Sequence, residues 1–191
     1  MSEAFKQNVI TSYTVPGVLT PEQCKDVKAM AQLEGMERSS VLTSDYSASK
    51  KSRDRTSSSC WLRQYPDGSN LWLWETVMRA AIDVNDKYYR FDILNLQHLQ
   101  VLCYGPFQKF KWHFDSYAGS DRKMTCVINL SDSKDYAGGG LQVKGVWEGQ
   151  EHKREIGAGS YFPSYMEHRA RAPWLGKRWV LVVWFTGKPW L

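Results

Sequence analysis

Two spacings of hydrophobic residues divide the chain near Asn95. Before it, apolar positions recur at helical intervals; after it, they crowd into short runs of Val, Ile, Leu, Phe, Trp and Tyr. In the first part, Val9 to Val15 is β-branched and aromatic, with Pro16-Gly17 behind it, and reads as a short strand and turn. Thr20-Pro21-Glu22-Gln23 has the form of a helix start: a Thr to cap, Pro at the first helical position and Gln three residues after the cap. The spacing predicts a helix to about Leu33, with Val27, Met30 and Ala31 turned inward. A second helix is predicted over Asn70–Tyr88, capped by Asp67 or Ser69, with Leu71, Trp74, Met78, Ala81 and Ile82 on its packing face. Between the helices, Ser39 to Ser59 is rich in Ser, Lys, Asp and Arg and has little apolar periodicity. A connection of that length is a surface loop or a lid over a site.

After Asn95 the predicted strands are Gln97–Tyr104, Phe110–Asp115, Lys123–Leu130, Leu141–Val146, Glu151–Glu155, Ser160–Pro163, His168–Ala172 and Arg178–Thr186. Gly or Pro punctuates many of the breaks. Short strands in such a series build a sandwich or barrel of jelly-roll type. Helices first and strands second give an α+β layout, with the helices buttressing one side of the sheet.

Composition narrows the class. The chain has 191 residues, 42% of them hydrophobic, with nine Trp, which suits one well-filled domain. No run reaches the roughly 18 apolar residues of a membrane span. Met1 to Asn8 lacks the basic start and apolar stretch of a secretory signal, which points to a cytoplasmic protein. Cys24, Cys60, Cys103 and Cys126 form no CxxC pair, so zinc-ribbon and thioredoxin-type readings lose their support. The formal charge of +5 mildly favours an acidic partner. The densest basic stretch, Lys50 to Arg55, reads as a solvated loop before it reads as a nucleic-acid patch.

Candidate chemistry gathers between Gln100 and Trp184. His113 and Asp115 are two residues apart, so on a strand both point to one face. With His168 from a distant strand they form a candidate 2-His-1-carboxylate set, which suits Fe(II) with open coordination positions. The triplet alone suits catalytic zinc equally well. Arg178 opens the last strand, six residues before Trp184, so both side chains can face one interior. A cation there is either exposed, paired with a structural acid, or matched by a carboxylate that arrives with a ligand.

The chain resembles the Fe(II)/2-oxoglutarate-dependent dioxygenases, and within them the prolyl 4-hydroxylase group, over most of its length. The resemblance rests on Gly17-Val-Leu-Thr-Pro-Glu-Gln-Cys24, Ser52-Arg-Asp-Arg-Thr-Ser-Ser58 followed by Cys60-Trp-Leu62, and Leu99-Gln-Val-Leu-Cys-Tyr104. It continues through His113-Phe-Asp115, Arg122-Lys-Met-Thr125 with Asn129-Leu130, and a turn at Gly138-Gly-Gly-Leu141. It closes on His168 with Arg178 at +10 and Trp184 at +16.

The resemblance implies a double-stranded β-helix over residues 96–191, supported by residues 1–95, in one domain. It implies His113, Asp115 and His168 as iron ligands and Arg178 as the anchor of the far carboxylate of 2-oxoglutarate. Tyr104 and Trp184 would complete the co-substrate pocket, and Arg55, Arg122 and Tyr117 would face the substrate. The implied reagents are Fe(II), 2-oxoglutarate and O2, with ascorbate as reductant, and the implied substrate is a proline-containing peptide or protein. The retained Asp115 fits hydroxylation, because halogenating relatives lack that carboxylate. The Asp115–Arg122 segment is short for the group, and Leu141 stands where Thr or Glu is usual. The same chemistry on a nucleic-acid base or small molecule, and a non-catalytic β-helix binding module, are the rival readings.

Overall fold

The computed structural model describes residues 11–42, 49–117, 119–145, 150–151 and 155–188. Two helices open the fold: α1 (Pro21–Glu34) and α2 (Leu71–Val84), the latter continued by a π-helical turn over Asn85–Tyr89. The α1 start matches its sequence. The Thr20 hydroxyl accepts from the Gln23 N–H at 3.2 Å, and Gln23 Oε1 accepts from the Thr20 N–H at 2.9 Å. Two orphan amides of the first turn are thereby satisfied.

The strands form two main sheets. The larger takes β1 (Tyr13–Val15), β11 (Gly159–Pro163), β8 (Arg122–Asn129), β13 (Arg178–Gly187), β6 (Ile93–Tyr104), β5 (Ser58–Leu62) and β2 (Glu37–Arg38), in that order. The smaller runs β10 (Gln150–Glu151), β9 (Tyr136–Val143), β12 (His168–Gly176), β7 (Phe110–His113). A separate ribbon pairs β3 (Val41–Leu42) with β4 (Ser49–Lys50). Among the described residues every pairing is antiparallel, and the whole is the α+β layout expected from the strand series, in the double-stranded β-helix form that the resemblance implied.

The central strand β13 explains the layering. Its residues alternate between two apolar environments. Leu181, Val183 and Phe185 pack with α1 and α2 through Cys24, Val27, Ala31, Leu73, Val77, Ala81 and Val84. Val180, Val182 and Trp184 pack the other way, with Leu141, Val143 and Ala170 of the smaller sheet. A strand covered on both faces reads as an unbroken apolar run, as Trp179–Phe185 does.

Several local expectations are corrected. In α2 the buried positions are Leu73, Val77, Ala81 and Val84, while Leu71 and Ile82 are exposed. Its first turn is preceded by Asn70, whose side chain makes no cap; the Asn70 amide instead bonds the Arg63 carbonyl and the Tyr65 N–H. Gly138–Gly140 lies within β9 and is not a turn. Strand β6 begins at Ile93 and β12 reaches Gly176, both longer than predicted. Strand β7 ends at His113, so Asp115 stands in the following loop. Ser39–Ser59 contains β3, β4 and the start of β5, with residues 43–48 outside the described set. The predicted starts and ends at residues 9–10, 146 and 152–154 also lie outside it.

Gly157 marks one place where the backbone allows no side chain. Its carbonyl accepts from Leu19 at 3.2 Å, its N–H donates to Asn129 at 2.8 Å, and φ is +75°. A Cβ there would run into the Leu19 carbonyl oxygen. Gly17 has φ of +65° with open space around it. Gly17→Ala should therefore lower the melting temperature by about 2–8 °C, the cost of a left-handed L-residue alone. Gly157→Ala should cost clearly more, because backbone must also move. Equal losses in thermal unfolding would contradict this account.

Candidate active site

His113 closes β7 and His168 opens β12, and the two are directly paired across the strands. That register sets the rings 4.1 Å apart between centroids. Each Nδ1 lies against a backbone carbonyl two residues earlier: His113 on Lys111 at 2.8 Å and His168 on Met166 at 3.0 Å. A carbonyl only accepts, so each Nδ1 carries the proton and each Nε2 is left with a free lone pair.

Asp115 brings its carboxylate to the same point. His113 Nε2 is 3.7 Å from Oδ1 and His168 Nε2 is 3.4 Å from Oδ2. The three ligand atoms lie within 4.8 Å of one another. Burial, and then His168, push the His113 imidazole down to about 3, so near neutral pH it presents a neutral nitrogen. Burial would raise the Asp115 carboxyl, but His168 and His113, joined by Trp184 and Arg122, bring it below the usual range. Two imidazole nitrogens and one carboxylate are the donor set of a divalent transition metal.

Because Asp115 lies beyond the strand, strand geometry does not hold it. Ser164 and Thr125 do. The Asp115 and Ser116 N–H groups both donate to the Ser164 carbonyl at 3.0 Å. Thr125 Oγ1 donates to Asp115 Oδ2 at 2.9 Å and lies 3.0 Å from Ser164 Oγ. A hydroxyl has one proton, and Thr125 gives it to the carboxylate, so Ser164 donates to Thr125. The relay Ser164 to Thr125 to Asp115 is wholly buried. Thr125 lies in a motif noticed in the sequence, but its contact with Asp115 was not foreseen. The signal was a lone hydroxyl in the apolar run Met124–Ile128. Ser164, four residues before His168, gave none.

An open pocket of about 820 Å³ lies around the triad. Arg178, Val180, Val182 and Trp184, alternate residues of β13, all line it. Arg178 is 2% exposed, yet its protein partner is a neutral amide: Nη2 donates to Asn129 Oδ1 at 3.2 Å, and the buried Nε donates to nothing. Tyr104, cross-strand partner of Arg178, presents its ring 5.9 Å from the guanidinium carbon. The Trp184 indole N–H lies near enough to the Asp115 carboxylate to favour its charged form, without completing a hydrogen bond.

The remaining sequence candidates also line this pocket. Arg55 stacks on Phe110 at 4.8 Å, and Phe110 stacks on His113 at 3.5 Å. Arg122 covers Trp184 at 4.4 Å and donates to the Asp115 carbonyl at 3.3 Å. Tyr117 and Phe114 are exposed at the lining, as is Trp61, which the sequence reading had placed only in a hydrophobic strand. His98 lies at the edge of Trp61 and away from the triad.

Residues 99–186 match the family model described as the 2OG-Fe(II) oxygenase superfamily. No curated protein matches the chain in sequence. A prolyl-4-hydroxylase from Pseudomonas putida superposes with TM-score 0.73 at 13% identity, over 93% of each chain. A prolyl hydroxylase from Trichoplax adhaerens, solved with a hypoxia inducible factor peptide, gives TM-score 0.77 at 15% identity, over 96% of this chain and 86% of the other. The carbocyclase SnoK from nogalamycin biosynthesis gives 0.68 at 14% identity, over 98% and 84%. At such identities the likeness is one of fold. The matched stretch, residues 99–186, carries His113, Asp115, His168 and Arg178, and over it the chain is similar to the 2OG-Fe(II) oxygenase superfamily.

Proposed function

We propose that the protein is an Fe(II)- and 2-oxoglutarate-dependent dioxygenase that hydroxylates a prolyl residue in a peptide or protein. The observation that carries the reading is one pocket holding three convergent ligand candidates and a buried arginine with no carboxylate partner among the described residues. His113, Asp115 and His168 would hold the metal, and Arg178 would take the far carboxylate of 2-oxoglutarate. Bound Fe(II), with 2-oxoglutarate and O2, supplies an oxidant strong enough for an unactivated C–H bond, releasing CO2 and succinate.

The chain's own residues do the positioning. The Lys111 and Met166 carbonyls fix both imidazole tautomers. Ser164 and Thr125 fix the carboxylate. Arg178 meets a carboxylate inside an apolar wall of Val180, Val182 and Leu141, where a charge-assisted bond is strengthened by the exclusion of water. The exposed Trp61, Phe114 and Tyr117 would form walls for a pyrrolidine ring at the mouth. The prolyl choice draws on two structural neighbours named as prolyl hydroxylases, one of them solved with a peptide. Among the described residues no helix is long and apolar enough to cross a membrane.

The direct test is mass spectrometry of proline-containing peptides incubated with Fe(II), 2-oxoglutarate and ascorbate. A gain of one oxygen matched by succinate supports the reading; oxidation of methylated oligonucleotides alone contradicts it. His113→Ala and Asp115→Ala should abolish metal binding and turnover with circular dichroism unchanged. Turnover in either variant would remove that residue from the metal site. Arg178→Ala should raise the half-saturating 2-oxoglutarate concentration about 10–150-fold, the loss of a hydrogen bond between charged groups. Thr125→Val should weaken Fe(II) or Mn(II) binding about 10–100-fold, with Thr125→Ser close to wild type. If Thr125→Val lowers only the unfolding temperature and leaves metal affinity intact, Thr125 has a packing role alone.

A further inference from the structure

The pocket holds more positive charge than the proposed reaction uses. Besides the two histidines and the tyrosines Tyr104 and Tyr117, its ionisable lining is Asp54, Arg55, Lys111, Asp115, Arg122 and Arg178. Asp54 and Lys111 form an ion pair at 2.6 Å and cancel. A divalent metal, a doubly anionic co-substrate, Asp115 and Arg178 also sum to zero. Arg55 and Arg122 are left over.

Neither is within ion-pair distance of a carboxylate among the described residues. Arg55 Nη1 donates to the Ser40 carbonyl at 3.2 Å and Nη2 to Gln100 Oε1 at 2.8 Å, while its buried Nε donates to nothing. Arg122 Nε donates to Gln97 Oε1 at 2.8 Å and Nη1 to the Asp115 carbonyl. All of these acceptors are neutral. Burial lowers both guanidinium pKa values against the nearby Tyr104 and Asp115 for Arg55 and Asp115, Tyr117 and Asp121 for Arg122, and each arginine stays protonated. The two cations also flank the triad. Arg55 reaches it through the Phe110–His113 stack, and Arg122 through Asp115 and Trp184.

We infer that the substrate carries a carboxylate beside the carbon that is oxidised, held by Arg55 and Arg122. In a peptide this means Asp or Glu within about two residues of the target. The inference rests on the peptide reading above. The charge is inside the pocket beside the triad, whereas nucleic-acid binding draws on a stripe of cations that follows successive phosphates.

The test is a peptide library with a fixed central proline and randomised neighbours, incubated with the Fe(II)-loaded protein, 2-oxoglutarate and ascorbate. The oxygen-gaining peptides are then sequenced. Asp and Glu next to proline should be enriched about tenfold or more over Lys and Arg, and changing Glu to Gln in a selected peptide should lose that advantage. Arg55→Gln should flatten the enrichment and Arg55→Lys should keep it. Lys25→Gln, which removes the same charge from the exposed face of α1, should leave it as in the wild type. Oxidised peptides without acidic bias overturn the inference and leave the peptide reading standing. An Arg55→Gln protein that needs more 2-oxoglutarate but keeps the bias overturns it too, because Arg55 then serves the co-substrate. Oxidation of oligonucleotides and of no peptide overturns both.

Discussion

The direct pairing of His113 with His168 across β7 and β12 is the constraint on which the site depends. Antiparallel register is quantised: a slip of one residue turns a side chain to the opposite face. With these two residues opposite each other, both imidazoles enter the space between the sheets. Carbonyls two residues upstream then aim both Nε2 atoms at the same point. Asp115 needs a different device, because its strand has ended. It is held instead by the Ser164 carbonyl and by a hydroxyl relay that ends on its own carboxylate. The loop that carries Asp115 is therefore tied, through Ser164, to the turn that leads into His168 and β12.

The rest of the chain serves that register. Strand β13 is apolar on both faces because it is covered on both. Its helix-facing residues lock α1 and α2 onto the larger sheet. Its other residues form the floor of the pocket, with Arg178 at one end and Trp184 towards the other. The asymmetry between these faces separates stability from chemistry. Substitutions on the helix side act through packing, whereas those on the pocket side reach the proposed metal and co-substrate positions directly.

Much of this was legible in the residues. The H-x-D spacing, the lone distant histidine and a cation at the head of an apolar strand singled out residues that folding gathers in one pocket, and the strand series pointed to an α+β jelly-roll class. What escaped has physical causes. Helix α2 is apolar around much of its circumference, so two stripes satisfied the helical period, and periodicity alone could not choose Leu73 and Val77 over Leu71 and Ile82. Gly138–Gly140 looked like a turn because glycines mark turns, yet here they continue a strand with positive φ. Asp115 sits off the strand that its spacing suggested. Thr125 and Ser164 are ordinary residues until folding brings them to a carboxylate, and composition alone put Arg55 in a solvated basic run, from which only the resemblance singled it out.

A crystal structure of the protein with Mn(II) and 2-oxoglutarate, phased to show the metal's anomalous signal, tests the central claim most directly. The account predicts one strong peak bonded to His113 Nε2, His168 Nε2 and an Asp115 oxygen, with the far carboxylate of 2-oxoglutarate on Arg178. A metal bound elsewhere, or a co-substrate that leaves Arg178 with Asn129 alone, would contradict it.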